Sequence, residues 1–404
     1  MEIRLPQAAS SVIANLNKSG HEAYAVGGCV RDCLMGRTPH DWDIATSASP
    51  AQVKAVFPKT FDTGILHGTV TVVIGGMNVE VTTYRIDGPY LDGRHPSSVK
   101  FTKSLEEDLS RRDFTMNAIA YHPDTGISDP FSGTEDIRKK TIRAVGDPKA
   151  RFTEDALRVF RALRFSAQLG FDIEQATKAS VQECARGLKS VSIERIREEL
   201  TKLMLSHYPE KLAMAHELGV LDCSLPASAR LSAEEAKRAA SRLVSCPKHP
   251  AAAYALAYIS RPPDGARNSV LSCMESLKFD KATARLASHL ARWGKDPIPS
   301  QAYPLRKFMS MSGPENFDFL FGLRKAAGDA HESVLLPLIW VRRDKILEDG
   351  DCLLRKDLKI DGSDITKQGI KGKAVGEELE RLLDLVLENP KLNDRETLLK
   401  LLGK

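Results

Sequence analysis

Nothing in this chain of 404 residues approaches the run of about 20 apolar residues that a membrane-spanning helix requires. Its start, MEIRLPQAASSVIANLN, lacks the basic opening and apolar centre of a secretory signal, so residence in the cytoplasm is expected. The seven cysteines are odd in number and scattered (29, 33, 184, 223, 246, 273 and 352), and Cys29/Cys33 has no second pair at zinc-ligand spacing. A disulfide framework and a structural zinc site are thereby disfavoured, and free buried thiols are expected. Fixed-period repeats and low-complexity tracts are missing too, which argues against a solenoid or a disordered scaffold.

What is present is a charge pattern that changes along the chain. Residues 1–135 carry 12 Lys/Arg and 16 Asp/Glu, whereas 136–404 carry 46 and 37. An acidic part followed by a basic one suits metal ions at one end and a polyanion along the rest. The periodicity changes at the same place. Up to about Asp129, helical stretches alternate with β-rich runs such as AYAV (23–26), GTVTVVIG (68–75) and MNVEVTTY (77–84), the pattern of an α/β domain. Beyond about Ser132, amphipathic helical patterns dominate: EDALRVFRALRFSAQL (154–169), SIERIREELTKLM (192–204) and SAEEAKRAASRLV (232–244). Breaks are expected near Gly133, near 206–209 and in the proline-rich KDPIPSQAYP (295–304).

The segment VGGCVRDCLMGRTPHDWDIATSASP concentrates chemistry. Gly27 and Gly28 end an apolar strand, Val30 to Gly36 reads as a short helix, and Asp41 and Asp43 open the next strand. Residues i and i+2 of a strand share a face, so the two carboxylates are expected to point to one spot while Trp42 and Ile44 face away. Like charges so placed repel unless a cation joins them. Mg²⁺, bound by one or two carboxylates together with substrate phosphate oxygens, is the expected cofactor. The glycines would let backbone N–H groups approach phosphates at a helix start.

Strand, Gly-Gly, helix with Arg31-Asp32, and D-W-D within 17 residues resembles the signature of the polymerase-β-like nucleotidyltransferase superfamily, in its CCA-adding and bacterial poly(A) polymerase branch. The resemblance continues in order through Glu80 in VEVTTYR, RRDFTMNAIAY (111–121), DPFSGTEDIRKKTIRAVG (129–146), EDALRVFRALRF (154–165) and SIERIREEL (192–200), covering roughly the first 200 residues. It implies that Asp41 and Asp43 hold the metal and Glu80 assists, and that Gly28, Arg31 and Arg112 contact the phosphates and sugar of the nucleotide. It also implies an α/β polymerase-β-like nucleotidyltransferase head at 1–135, followed by all-α neck, body and tail domains at 136–205, 206–295 and 296–404.

Asp155 and Arg158 stand three apart on an expected helix, with Arg161 and Arg164 continuing the stripe. An exposed, salt-bridged helix face would look the same. A functional reading rests on complementarity to a base edge. Cytosine and adenine each present an amino donor beside a ring nitrogen acceptor, so a carboxylate next to a guanidinium pairs with either. Uracil and guanine present the reverse order and would leave buried groups unpaired, at about 1–3 kcal/mol each. Glu154, Asp155 and Arg158 match the E-D-x-x-R motif of the class II CCA-adding family, which selects C and A by such a protein template. Arg161 and Arg164 match further nucleotide-binding arginines of that family, expected to reach the triphosphate.

The stretch YRIDGPYLDGRHPSSVKF (84–101) reads as a loop and resembles one that CCA-adding and A-adding members keep and CC-adding members have lost. Residues 357–402 resemble the family's tail, which grips the elbow of tRNA, and Lys371-Gly372-Lys373 is a candidate phosphate contact. A basic C-terminal extension, common in the poly(A) polymerases of the branch, does not follow Lys404, which favours tRNA. The expected partners are therefore the tRNA 3′ end with its acceptor stem and elbow, and CTP and ATP as substrates, with no membrane. The expected activity is template-independent addition of C, C and A. An A-adding enzyme and a poly(A) polymerase are the alternatives within the class, and an inactive RNA-binding relative is the alternative outside it.

Overall fold

A computed structural model describes residues 3–88, 99–261, 263–328 and 330–402. The chain forms two compact units, Met1–Ala233 and Glu234–Lys404. The boundaries expected at about 135 and 205 lie within the first unit and the one at about 295 within the second.

The first unit is built on a mixed sheet of seven strands: β1 (Ala23–Val26), β2 (Asp43–Thr46), β3 (Thr60–Gly64), β4 (Thr69–Ile74), β5 (Met77–Thr83), and, after a separate hairpin of β6 (Arg85–Asp87) and β7 (Val99–Phe101), β8 (Ala120–His122) and β9 (Gly126–Ser128). Their order is β3-β4-β5-β2-β1-β8-β9. Only β2 and β5 run parallel, which sets Asp43 beside Glu80. The alternation in β5 follows burial: Val79 and Val81 are fully buried while Glu80 is exposed.

One face of the sheet packs on the helix Gln7–Lys18 through Ala9, Val12, Ile13 and Leu16, together with Ile44, Val70, Val72, Val79 and Val81. The other face is closed by Val26, Ala45, Tyr84, Leu109, Ala118, Ala120 and Val145. With both faces covered, central β2 is pinned in register, since a slip of one residue would carry its charged end into an apolar layer. The expected α/β head is thus present. The remainder is helical apart from β10 (Thr141–Ile142) and β11 (Asp172–Ile173), a two-residue parallel pair.

Three local expectations need correction. The short helix in the glycine segment runs Gly28–Leu34, starting two residues earlier than expected. Asp43 begins β2, whereas Asp41 lies in the bend before it. The stretch 154–169 is not one helix. A helix Pro148–Glu154 ends at Asp155, whose backbone is extended (φ −132°, ψ 102°), and a second helix runs Leu157–Leu169. The Asp155 carboxylate accepts the Leu157 N–H at 3.1 Å, the local bond by which aspartate competes with helix continuation.

Of the loop expected at 84–101, the hairpin strands are described and residues 89–98 lie outside the described residues. The second unit is helical, with helices such as Pro250–Tyr258, Lys281–Trp293, Ala302–Ser312, Phe317–Ala327, Ala330–Glu348 and Lys373–Glu388. Gly372 precedes the last of these at φ 64°, and Lys373 pairs with Glu377. All seven cysteines are free thiols, four of them buried. Among the described residues no helix is long and apolar enough to cross a membrane.

Candidate active site

A cleft of about 640 Å³ in the first unit brings together residues from distant parts of the sequence. Nine of the ten residues singled out from the sequence line it: Gly28, Arg31, Asp41, Asp43, Arg112, Asp155, Arg158, Arg161 and Arg164. Glu80 does not, but its place opposite Asp43 on β5 puts its charge next to that carboxylate.

The acidic wall lies at the end of β2. Burial is the main force raising the pKa of Asp43, and the charges of Glu80 and Asp41 add to it, while Arg112 alone opposes them. Trp42 between the aspartates is buried in the core. Asp41 and Asp43, with the charge of Glu80 behind them, offer hard oxygen donors of the kind that suit a divalent ion. Among the described residues no three His, Cys, Asp or Glu side chains converge into a complete cage. Two carboxylates completed by phosphate oxygens and water match the way Mg²⁺ is usually bound at phosphoryl-transfer sites, so the residues fit that ion.

Between strand and helix, Gly27 has φ 77°, and a Cβ there would stand 2.7 Å from Arg112 Nη1. A side chain at this position would be both strained and obstructed, so Gly27, more than Gly28, is the glycine that the geometry demands. Gly28 opens the short helix, with no atom closer than 3.8 Å to where a Cβ would lie, and its backbone borders the cleft.

The basic wall is held by a network the sequence reading did not single out. Arg31 donates from Nη1 to Asn117 Oδ1 (2.7 Å) and from Nε to Asp32 (2.9 Å). Asn117 Nδ2 donates to Asp113 Oδ1 (3.0 Å), and Arg161 Nε to Asp113 Oδ2 (2.8 Å). Burial pushes the Asp113 carboxyl up, but the Arg161 charge and the bonds from Asn117 and Arg161 outweigh it and hold the pKa at about 2. Arg164 donates to Glu199 (2.7 Å), and its guanidinium lies 3.6 Å from the centre of the Phe165 ring, which Arg31 and Arg161 approach at 5.2 Å each. Burial is the main force lowering the pKa of Arg164; the Glu199 charge opposes it and that of Arg161 adds to it. Phe165 thus serves as a common platform for three guanidiniums.

Asp155 and Arg158 both line the cleft but are not paired with each other. Arg195 donates to Asp155 Oδ2 at 3.0 Å, while Arg158 Nη1 donates to Glu154 (2.7 Å) and to the carbonyl of Arg151 (3.1 Å). Arg158 Nη2 donates to the carbonyl of Arg111 (2.9 Å). A carboxylate offers about four lone pairs and a guanidinium five N–H groups, so each side chain keeps capacity for a ligand. Arg158 is 8% exposed, which rules out the solvent-facing salt-bridged helix surface considered above.

Arg111, Asp113, Asn117, Leu157, Phe165 and Arg195 are the cleft residues that sequence reasoning missed. All six sit in the quoted motifs RRDFTMNAIAY, EDALRVFRALRF and SIERIREEL. The Asp113–Asn117 spacing was a usable signal, whereas the Arg195 contact with Asp155 spans 40 residues and had none.

Comparison with known proteins finds relatives along the whole chain. Residues 23–143 match the family described as the poly A polymerase head domain, and 170–231 match one described as a probable RNA and SrmB binding site of polymerase A. A CCA-adding enzyme of Leuconostoc citreum is 53% identical over 200 residues, so that this match spans half of each chain. One from Limosilactobacillus fermentum is 35% identical over 98% of this chain and 96% of its own length. The crystal structure of the Bacillus stearothermophilus CCA-adding enzyme in complex with CTP is 32% identical and superposes with a TM-score of 0.81, covering 96% of this chain and 94% of that one. By fold and by end-to-end similarity, this chain belongs to the CCA-adding enzyme family of nucleotidyltransferases.

Proposed function

We propose that this protein adds C, C and A in turn to the 3′ end of tRNA, using CTP and ATP, releasing pyrophosphate and needing no nucleic-acid template. The observation that carries this reading is one cleft with an acidic wall at Asp41 and Asp43 and a basic wall that includes Asp155 and Arg158. Binding alone would not need the acidic wall. The similar enzyme of known structure was solved with CTP, which fits a nucleotide in this cleft.

In this reading the tRNA 3′-hydroxyl and the α-phosphate of the nucleotide meet beside Asp41 and Asp43. Enzymes of the family are generally metal-dependent. Mg²⁺ held by the two aspartates would supply Lewis-acid stabilisation of charge on the attacking and leaving oxygens. Glu80, across the strand pair, adds negative charge that strengthens cation binding at Asp43. Arg31 and Arg112, with the Gly28 backbone, border the cleft where phosphates and sugar would lie, and Arg161 and Arg164 extend that positive surface toward the triphosphate. Asp155 accepts from the exocyclic amino group and Arg158 donates to the ring nitrogen of C or A. Holding the nucleotide in one orientation lowers the barrier by making the attack effectively intramolecular.

The experiment offers the protein tRNA transcripts ending at the discriminator base, after one C and after CC, each with CTP, ATP or both, and reads product lengths. Addition of CCA to the shortest transcript supports the reading. Extension of the CC-ended transcript alone by ATP would make the protein an A-adding enzyme, and homopolymeric A tails a poly(A) polymerase. No extension of any transcript would sink all three.

A further inference from the structure

The second unit holds a cavity whose charge is out of balance. It measures about 380 Å³ and is lined by Arg238, Arg242, Lys295 and Arg324, with Ile259 and Ser260 beside them. Two of the four cations are committed to the fold. Arg324 donates from Nε to both carboxylate oxygens of Glu332 (3.0 and 2.8 Å) and from Nη1 to the carbonyls of Gly294 and Lys295, which follow the helix Lys281–Trp293. Lys295 Nζ donates to the carbonyl of Arg261, beyond the end of the helix Pro250–Tyr258. Cations at helix C-termini are an ordinary structural device.

Arg238 and Arg242 are different. They lie one turn apart on the helix Ala233–Leu243, so their like charges share a face, which is destabilising by itself. Glu235 on the same helix is engaged with Arg261 at 2.6 Å, and Glu332 with Arg324. Neither guanidinium has a hydrogen bond or ion pair to any described residue. Arg242 is half-buried, and its pKa is lowered first by burial and then by the charges of Arg238 and Arg324. A guanidinium partly withdrawn from water beside two others is unfavourable until an anion joins them.

We propose that this cavity binds a phosphate-type oxyanion, clasped by the two guanidiniums of Arg238 and Arg242, with the Ser260 hydroxyl as a further donor. The planar fork of each arginine suits two oxygens of a tetrahedral phosphate. A phosphodiester of an RNA chain and free inorganic phosphate or pyrophosphate present the same chemistry. The RNA source rests on the function proposed above; the free anion does not.

The test uses the full chain and the variants Arg238→Gln, Arg242→Gln and the double variant. Thermal unfolding is followed with inorganic phosphate, and with pyrophosphate, against chloride at equal ionic strength. Affinity for tRNA is measured across a salt series. A site filled by RNA predicts about tenfold weaker tRNA binding for each single variant and a salt slope shallower by about 1. A site filled by a free anion predicts a phosphate- or pyrophosphate-dependent rise in Tm that the double variant lacks, with tRNA binding unchanged. That result would uphold the site even if the wild-type chain failed to bind tRNA. In phosphate-free buffer, Arg242→Gln should be at least as stable as wild type, because it removes an unbalanced charge. If it is instead less stable, or if neither the anion response nor tRNA affinity changes in the double variant, the proposal is overturned.

Discussion

The two walls of the cleft balance their charge in opposite ways. On the acidic wall, Asp41 and Asp43 stand together with Glu80 on the strand behind them and Arg112 as the opposing influence on Asp43, and the pKa of Asp43 rises. On the basic wall the cations are paired with carboxylates: Arg31 with Asp32, Arg158 with Glu154, Arg161 with Asp113 and Arg164 with Glu199. The first arrangement is incomplete without a ligand, whereas the second is already organised before one arrives. A site of this kind places its strain where a cation is to bind and its rigidity where shape must be read.

The largest effect that would test this contrast is on the acidic side. Asp41→Ala or Asp43→Ala should lower the single-turnover rate of nucleotide addition by on the order of a thousandfold while leaving tRNA affinity nearly unchanged. Near-normal rates in both variants would break the assignment. Glu80→Gln should lower the rate too, but by less than either aspartate, because it acts on Asp43 from the neighbouring strand and does not line the cleft.

On the basic side the effect should fall on selectivity. Asp155→Ala removes the acceptor for an amino group and also the repulsion against a carbonyl oxygen. The ratios of kcat/KM for CTP over UTP and ATP over GTP should therefore drop by roughly 5- to 150-fold. Loss of rate with wild-type ratios would show that Asp155 only supports the helix junction and Arg195.

The smaller effects concern stability and have opposite signs with pH. Asp113 has a depressed pKa, so its contribution is present above the normal carboxylate range and is lost as pH falls toward about 2. Asp113→Asn should cost about 2 kcal/mol at neutral pH, with the difference from wild type closing in acid. Asp43 has a raised pKa, so its ionised form works against the fold: protonation stabilises it as pH falls, and that stabilisation is lost as pH rises through the folded-state pKa. Asp43→Asn should accordingly be no less stable than wild type at pH 7 without divalent cation, and the wild type alone should gain stability when Mg²⁺ is added. Denaturant titrations at several pH values measure both. If Asp43→Asn proves the more destabilising of the two, the contrast between the walls is wrong.

Short-range pattern made several features legible beforehand. The place of Asp43 at the head of an apolar strand, the Gly-Gly turn and the alternation around Glu80 are all set by neighbours within a few residues, where backbone periodicity decides which way a side chain points, whereas Asp41 lies in the bend before the strand, outside that alternation. The clustering of arginines after Asp155 was equally visible. Their partners were not: Arg161 reaches back 48 residues to Asp113 and Arg164 forward 35 to Glu199. The helix break at Asp155 was also hidden, since 154–169 carries a continuous amphipathic pattern and a single local hydrogen bond overrides it.

The sequence alone singled out nine of the residues that line the cleft, because motif residues that act through spacing within a few positions carry much of their geometry with them. It determined as well that an acidic α/β region precedes a basic helical one. Only the tertiary structure decided how those charges are shared. The parallel pairing of β2 with β5 sets Glu80 against Asp43, and the packing of Phe165 under three guanidiniums fixes the basic wall. Burial then settles which groups are stabilised and which await a ligand, since the free energy of a charge depends on the water it has lost and on the partners that the fold brings to it.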